Sequence, residues 1–159
     1  MQKGSKHTDV FPPEKRSEVM RAVKGADTKP ELTLRKALFA KGFRYRLHRK
    51  DLPGKPDLVF PKYHAVVFVH GCFWHGHDCA RGRRVPKTNR AYWTAKIARN
   101  RERDAKNVAA LRKAGWRVFT VWECELKNLD AVARGLARKL RATTTRSRAK
   151  RVYSEKQKT

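Results

Sequence analysis

Five consecutive apolar residues, Ala65-Val66-Val67-Phe68-Val69, constrain the fold of this chain more than any other feature. The run is rich in β-branched side chains and shows no alternation of apolar and polar positions. It therefore reads as a central strand covered on both faces. Such a strand needs a sheet with helices packed against it. The neighbouring sequence supplies both. Residues 43–47 alternate with period two and read as a strand. Leu52-Pro53-Gly54-Lys55-Pro56 reads as a turn, after which Asp57 opens a short strand, Leu58-Val59-Phe60. A further strand is expected over residues 116–122, with Cys124 directly after it.

Helices are expected over residues 14–24, from 28 to about 41, over 90–113 and over 129–141. Thr28-Lys29-Pro30-Glu31 fits a capping box. In the long helix, Trp93, Ile97, Asn100, Asp104, Val108 and Leu111 recur at three- and four-residue steps and form the buried stripe. Gly115 ends that helix. The order α-α-β-β-β-α-β-α predicts an α/β fold with a mixed central sheet flanked by helices. A single domain is expected over residues 12–141, between a disordered N-terminus (1–11) and a disordered basic tail (142–159).

That fold must be reconciled with an extreme charge. Lys and Arg number 40 and Asp and Glu 14, a formal net charge of +26. Self-repulsion on this scale opposes compactness, and it usually persists because the partner is a polyanion. Nucleic acid is the first candidate. A charged membrane surface comes second, and a merely solvated basic surface or a ribosomal-type RNA binder is the bland alternative. No apolar run is long enough to cross a bilayer, and residues 1–15 lack the apolar core of a signal peptide. A soluble, cytoplasmic protein is expected. Three cysteines, an odd number, argue against a disulfide framework and leave metal binding or burial.

Cys72-Phe73-Trp74-His75-Gly76-His77-Asp78-Cys79 concentrates thiols and imidazoles in eight residues. Zinc takes four sulfur or nitrogen ligands in a tetrahedron, and this loop can supply three. Cys124 is the remaining cysteine and sits at a strand end. A closed Cys3His site would be structural and would tie the loop to the last strand. Spacing does not choose between His75 and His77. Buried cysteines beside solvated histidines are the alternative.

In a chain this basic, acids at strand ends or on buried helix faces are informative. Pairing of the two strands that follow residue 56 would bring Asp57 near His70, where a carboxylate suits magnesium. Termination of a Pro-Gly turn explains Asp57 equally well. Asp104 lies on the helix face that packs inward, so it needs a partner. A histidine from the 71–89 loop would be held in one tautomer by it and become a better base. An arginine salt bridge is the alternative. Glu31 is explained by the capping box, and a magnesium-shell role needs further support. Phe73, Trp74 and Trp93, and Met20 with Val23 on the basic helix, are either core or wedges that insert between bases.

The quoted segments, together with Asn100-Arg101-Glu102-Arg103-Asp104 and Gly115-Trp116-Arg117-Val118-Phe119-Thr120-Val121-Trp122-Glu123-Cys124, resemble the very-short-patch mismatch repair endonucleases. The resemblance runs from about residue 15 to 126. It implies a type II restriction-endonuclease-like core of the PD-(D/E)xK class with a structural zinc site. It also implies nicking of the thymine-containing strand of a T·G mismatch, 5′ of the thymine, where 5-methylcytosine has deaminated. Carried over, Asp57 and the backbone carbonyl of Val69 hold two magnesium ions. His75 is the base, Asp104 orients it, and Glu31 and His70 support the hydrated metals. Cys72, His77, Cys79 and Cys124 bind zinc. Phe73, Trp74 and Trp93 intercalate from the major groove, and Met20 and Val23 wedge from the minor-groove side. The implied partners are double-stranded DNA and mismatch-repair proteins of the MutS and MutL class, with the enzyme acting as a monomer in the nucleoid.

Three departures stand out. Val69 replaces the threonine often found in the family, Gly76 and Asp78 interrupt the histidine run, and the basic tail has no counterpart. Two other readings remain at this point: a nuclease of the same fold with another target, and a non-catalytic zinc-stabilised nucleic-acid binder.

Overall fold

The computed structural model describes residues 25–142. The expected helix over 14–24, with Met20 and Val23 on it, and the tail from residue 143 lie outside the described residues.

The first described helix, α1, spans Lys29–Ala40. Pro30 suits its first turn, where a missing N–H costs nothing. The expected capping box forms differently. The Thr28 hydroxyl donates to Glu31 Oε1 at 2.9 Å instead of capping the helix backbone, and Glu31 Oε2 accepts from the Asp27 N–H at 3.0 Å. Glu31 is drawn inward because Arg35, one turn on, pairs with it at 2.9 Å.

Strand β1 is only Arg46–Leu47, shorter than the alternation over 43–47 suggests. The Phe43 N–H closes the end of α1 on the Leu38 carbonyl at 3.1 Å, and the ring packs edge-on against Phe60 in the core. Phe43 is thus committed to the helix end and the core rather than to the ladder. Strand β2 spans Leu58–Phe60 and β3 spans Ala65–His70. Between them lies a 3-10 turn, Pro61–Tyr63.

Helix α2 spans Arg90–Lys113, as expected. Gly115, at φ +87°, turns the chain out of it. The Trp116 N–H still bonds the Leu111 carbonyl at 3.0 Å, so strand β4 begins one residue later than expected and covers Arg117–Trp122. A 3-10 segment, Glu123–Asn128, was not anticipated. It leads into α3, Leu129–Arg141.

The sheet order is β1-β2-β3-β4. β1 and β3 each run antiparallel to β2 between them, and β3 runs parallel to β4 with His70 opposite Trp122. This is the mixed, helix-flanked sheet that the pattern predicts. The residues of β3 alternate between two cores. Ala65 and Val67 pack with Leu34 and Leu38 of α1 and Leu136, Ala137 and Leu140 of α3. Val66 and Phe68 pack with Leu111 of α2 on the other face. Because β3 and β4 are parallel, their carboxyl ends share one edge of the sheet. The 71–89 loop and the Glu123–Asn128 segment both leave from that edge, where open α/β sheets place their sites.

Candidate active site and metal centre

The loop after β3 folds back on itself through the His77 N–H to Cys72 carbonyl bond, at 3.0 Å. This gathers Cys72, His77 and Cys79 beside Cys124, with all four ligating atoms within 4.8 Å of one another. His77 Nδ1 lies 3.4 Å from Cys124 Sγ. The three cysteines are free thiols. Burial pushes the Cys72 thiol up to about 12. Cys79 is pulled down to about 6, first by the Gly82 N–H on its sulfur at 3.3 Å. Three sulfurs and one imidazole nitrogen at this spacing can hold a metal ion, and the set suits a soft, tetrahedral one.

His75, two residues away, belongs to a different cluster. Its Nδ1 meets Asp104 Oδ2 at 2.5 Å. A carboxylate accepting from Nδ1–H leaves Nε2 as the nitrogen able to take up a proton. The His75 ring stacks on His70 at 3.8 Å between centroids and 3° between planes. His70 is held down to about 4, chiefly by burial and then by the proximity of His75. The two polar interruptions in the α2 stripe are thereby accounted for. Asp104 holds His75, and Asn100 Nδ2 donates to the Trp74 carbonyl at 2.9 Å.

Asp57 stands across the β2–β3 ladder, where its Oδ2 accepts the Val69 N–H at 2.6 Å. Burial raises it to about 6, the Val69 bond opposes that rise, and the charge of Glu31 adds to it. The Val69 side chain packs against the core beneath α1 and α3, so only its backbone meets Asp57. Asp57, Glu31, His70, His75 and Asp104 all line one cleft of about 1080 Å³.

The loop aromatics form a group of their own. Phe73 lies 5.1 Å from Trp74 and 5.6 Å from Trp93, and Trp74 lies 6.0 Å from Trp93. The ring stacked on the Cys–His cluster is a different one, Trp122, at 4.2 Å from His77.

Comparison with known proteins follows the same lines. A family model described as DNA mismatch endonuclease Vsr matches residues 8–81. The type II nicking enzyme V.XorIIP of Xanthomonas oryzae pv. oryzae is 52% identical over 125 residues, covering 79% of this chain and 91% of that protein. V.NmeAIP of Neisseria meningitidis, also a type II nicking enzyme, is 54% identical over 76% of this chain and 86% of its own length. The DNA mismatch endonuclease Vsr of Escherichia coli is 43% identical over 77% of this chain and 78% of its own length. The chain belongs to the Vsr DNA mismatch endonuclease family. It is a DNA endonuclease with a restriction-like fold, and nuclease chemistry of this family implies a divalent metal. No helix among the described residues is long and apolar enough to cross a membrane.

In this Vsr-family chain the structure adds a network that sequence reasoning missed. Buried Glu31 pairs with buried Arg35, whose other amino group meets Asp27 Oδ1 at 2.5 Å. The amino group facing Glu31 also lies 2.8 Å from His48 Nε2. The same Nε2 also lies 3.5 Å from Asp27 Oδ1. Glu31 and Arg35 stand four apart on a helix, which was a readable signal. His48 was not readable, since it comes from a loop after β1 at φ +43°. Asn107 was also missed. A Cβ on Gly54 would lie 2.8 Å from its Nδ2, so the turn before Asp57 sits directly against α2.

Proposed function

We propose that this enzyme nicks the thymine-containing strand of T·G mismatches, 5′ of the thymine, with magnesium in the cleft and zinc in the Cys–His cluster. The observation that carries the reading is the convergence of Asp57 and the His75–Asp104 pair on one cleft. The names of the relatives, mismatch endonuclease and nicking enzymes, support the target and the single-strand cut.

The donor chemistry fits both metals. Asp57 spends Oδ2 on Val69, so Oδ1 would be the oxygen that meets the metal, while burial and Glu31 make its charge costly without a cation. Asp57 and the Val69 carbonyl would hold magnesium, with Glu31 and His70 in its hydrated surroundings. Magnesium would supply charge stabilisation at the attacking and leaving oxygens. Cys72, His77, Cys79 and Cys124 match the three-sulfur, one-nitrogen set that zinc takes in closed structural sites.

The residues of the chain do the rest. His75 Nε2 accepts the proton of the attacking water. Asp104 keeps the proton on Nδ1 and stabilises the imidazolium that results. Phe73, Trp74 and Trp93 would enter the stack beside the mismatch, with Met20 and Val23 from the opposite groove. Unstacking costs least at a mispair, and that difference selects the target.

The test is nicking of labelled duplexes differing only in T·G or T·A, with magnesium or EDTA. Magnesium-dependent nicking of the T strand at T·G, abolished in Asp57→Ala, is expected. Equal cutting of both duplexes would remove the mismatch assignment, and cutting in EDTA would remove the magnesium.

A further inference from the structure

One indole joins the two clusters. Trp122 ends β4 opposite His70, two residues before Cys124. One face of its ring stacks on His77 at 4.2 Å and 14°. It also meets the His70 ring edge-to-face at 5.3 Å and 70°. His70 in turn stacks on His75, so an unbroken series of rings runs from the Cys–His cluster to the histidine held by Asp104.

The series matters because Asp104 fixes only one atom of His75. A single hydrogen bond at Nδ1 leaves the imidazole free to swivel about that contact, carrying Nε2 out of line. The stack on His70 removes that freedom. The His70 ring is in turn held by Trp122 and by Phe68, which is tilted 41° at 5.6 Å. Phe68 belongs to the rigid core, whereas Trp122 rests on a residue of the Cys–His cluster. A displacement of about 1 Å at a reacting group can cost about a hundredfold in rate.

We propose that Trp122 is a positioning residue for strand cleavage: it transmits the placement of His77 through His70 to His75, so the Cys–His cluster orients the proton acceptor as well as fastening the loop. This rests on the reading of His75 as that acceptor.

The test is single-turnover nicking by the full chain at saturating protein, with the half-saturating concentration and the absorption bands of the Co²⁺-loaded protein measured alongside. Aromatic contacts of this kind are individually modest, so Trp122→Leu is expected to lower the maximal rate about tenfold. Its half-saturation and cobalt bands should stay as in the wild type. Trp122→Phe, which keeps a flat ring, should recover most of the rate. His77→Cys, with an all-thiolate cluster and no ring to stack on, should reproduce the loss while still showing four-coordinate cobalt. Wild-type rate in Trp122→Leu overturns the proposal. So does loss of rate and cobalt bands together in Trp122→Leu when cobalt-loaded His77→Cys nicks normally, since Trp122 would then only pack the cluster. His75→Ala separates the two levels. Full activity there removes the underlying reading, whereas loss there with full activity in Trp122→Leu overturns the proposal alone.

Discussion

The two helical layers of this enzyme are held to the sheet by different chemistry. Among the described residues, eleven buried apolar ones form one cluster beneath α1 and α3; beneath α2 there are four, although α2 is the longest helix described. Leu111 is the one residue of α2 that is buried outright. Two further residues of its inward stripe, Asn100 and Asp104, hold the loop after β3, and Asn107 meets the turn before Asp57. One layer supplies stability, and the other gives up apolar contact to hold the groups proposed for catalysis. Natural proteins accept such local cost where function needs it.

If this division is right, substitutions in the two layers should separate melting from nicking. The largest effect is expected for Asp104→Asn. It frees His75 of its tautomer and should lower the single-turnover rate about 10²- to 10⁴-fold, the range for a lost general base. Its melting temperature should stay close to wild type, and a large fall in melting would erase the distinction between the layers.

Leu38→Ala should do the reverse. It removes a wholly buried side chain from the other layer and should cost about 2–5 kcal/mol in denaturant unfolding. Nicking per folded molecule at low temperature should be unchanged.

Gly54→Ala probes the seam between the layers. Its φ of +73° and the 2.8 Å approach to Asn107 Nδ2 leave no room for a methyl group. Loss of rate by about tenfold with a destabilisation of about 1–2 kcal/mol is expected, from strain and a shifted Asp57 turn. An unaffected rate would mean that the turn does not set the spacing between Asp57 and His75.

The effect that leaves nicking untouched is a pH dependence of melting in metal-free protein. Asp57 is raised to about 6 from 3.8, chiefly by burial. An acid raised on folding favours the folded state while protonated. Its contribution is complete below 3.8 and is lost as pH rises through about 6. The melting temperature of wild type relative to Asp57→Asn should therefore fall across that window, and saturating magnesium should reverse the fall. A flat difference would place Asp57 in a more solvated setting.

Much of this was legible in the chain itself. The unalternating run at Ala65–Val69 required a doubly covered strand, and β3 is one. The bounds of α2 and α3 followed from periodicity and from Gly115. Asn100 and Asp104 stood out as polar residues on an inward face, and both have partners in the loop after β3. Phe43 misled, because its alternation with Tyr45 resembles a strand while its N–H closes α1.

Sequence by itself determined the main helices and strands, a sheet covered by helices and the residue types that can do this chemistry, since periodicity and side-chain character are local. Spacing left open which histidine joins which cluster, and the tertiary structure separates them. His75 and His77 lie two apart in an aperiodic loop, and only the fold turns one toward Asp104 and the other toward Cys124. It also decided that Arg35 and His48 would meet beside Glu31, and that Trp122 would lie between the two clusters. Those contacts join segments far apart in the chain, so their geometry exists only once the sheet has brought the segments together.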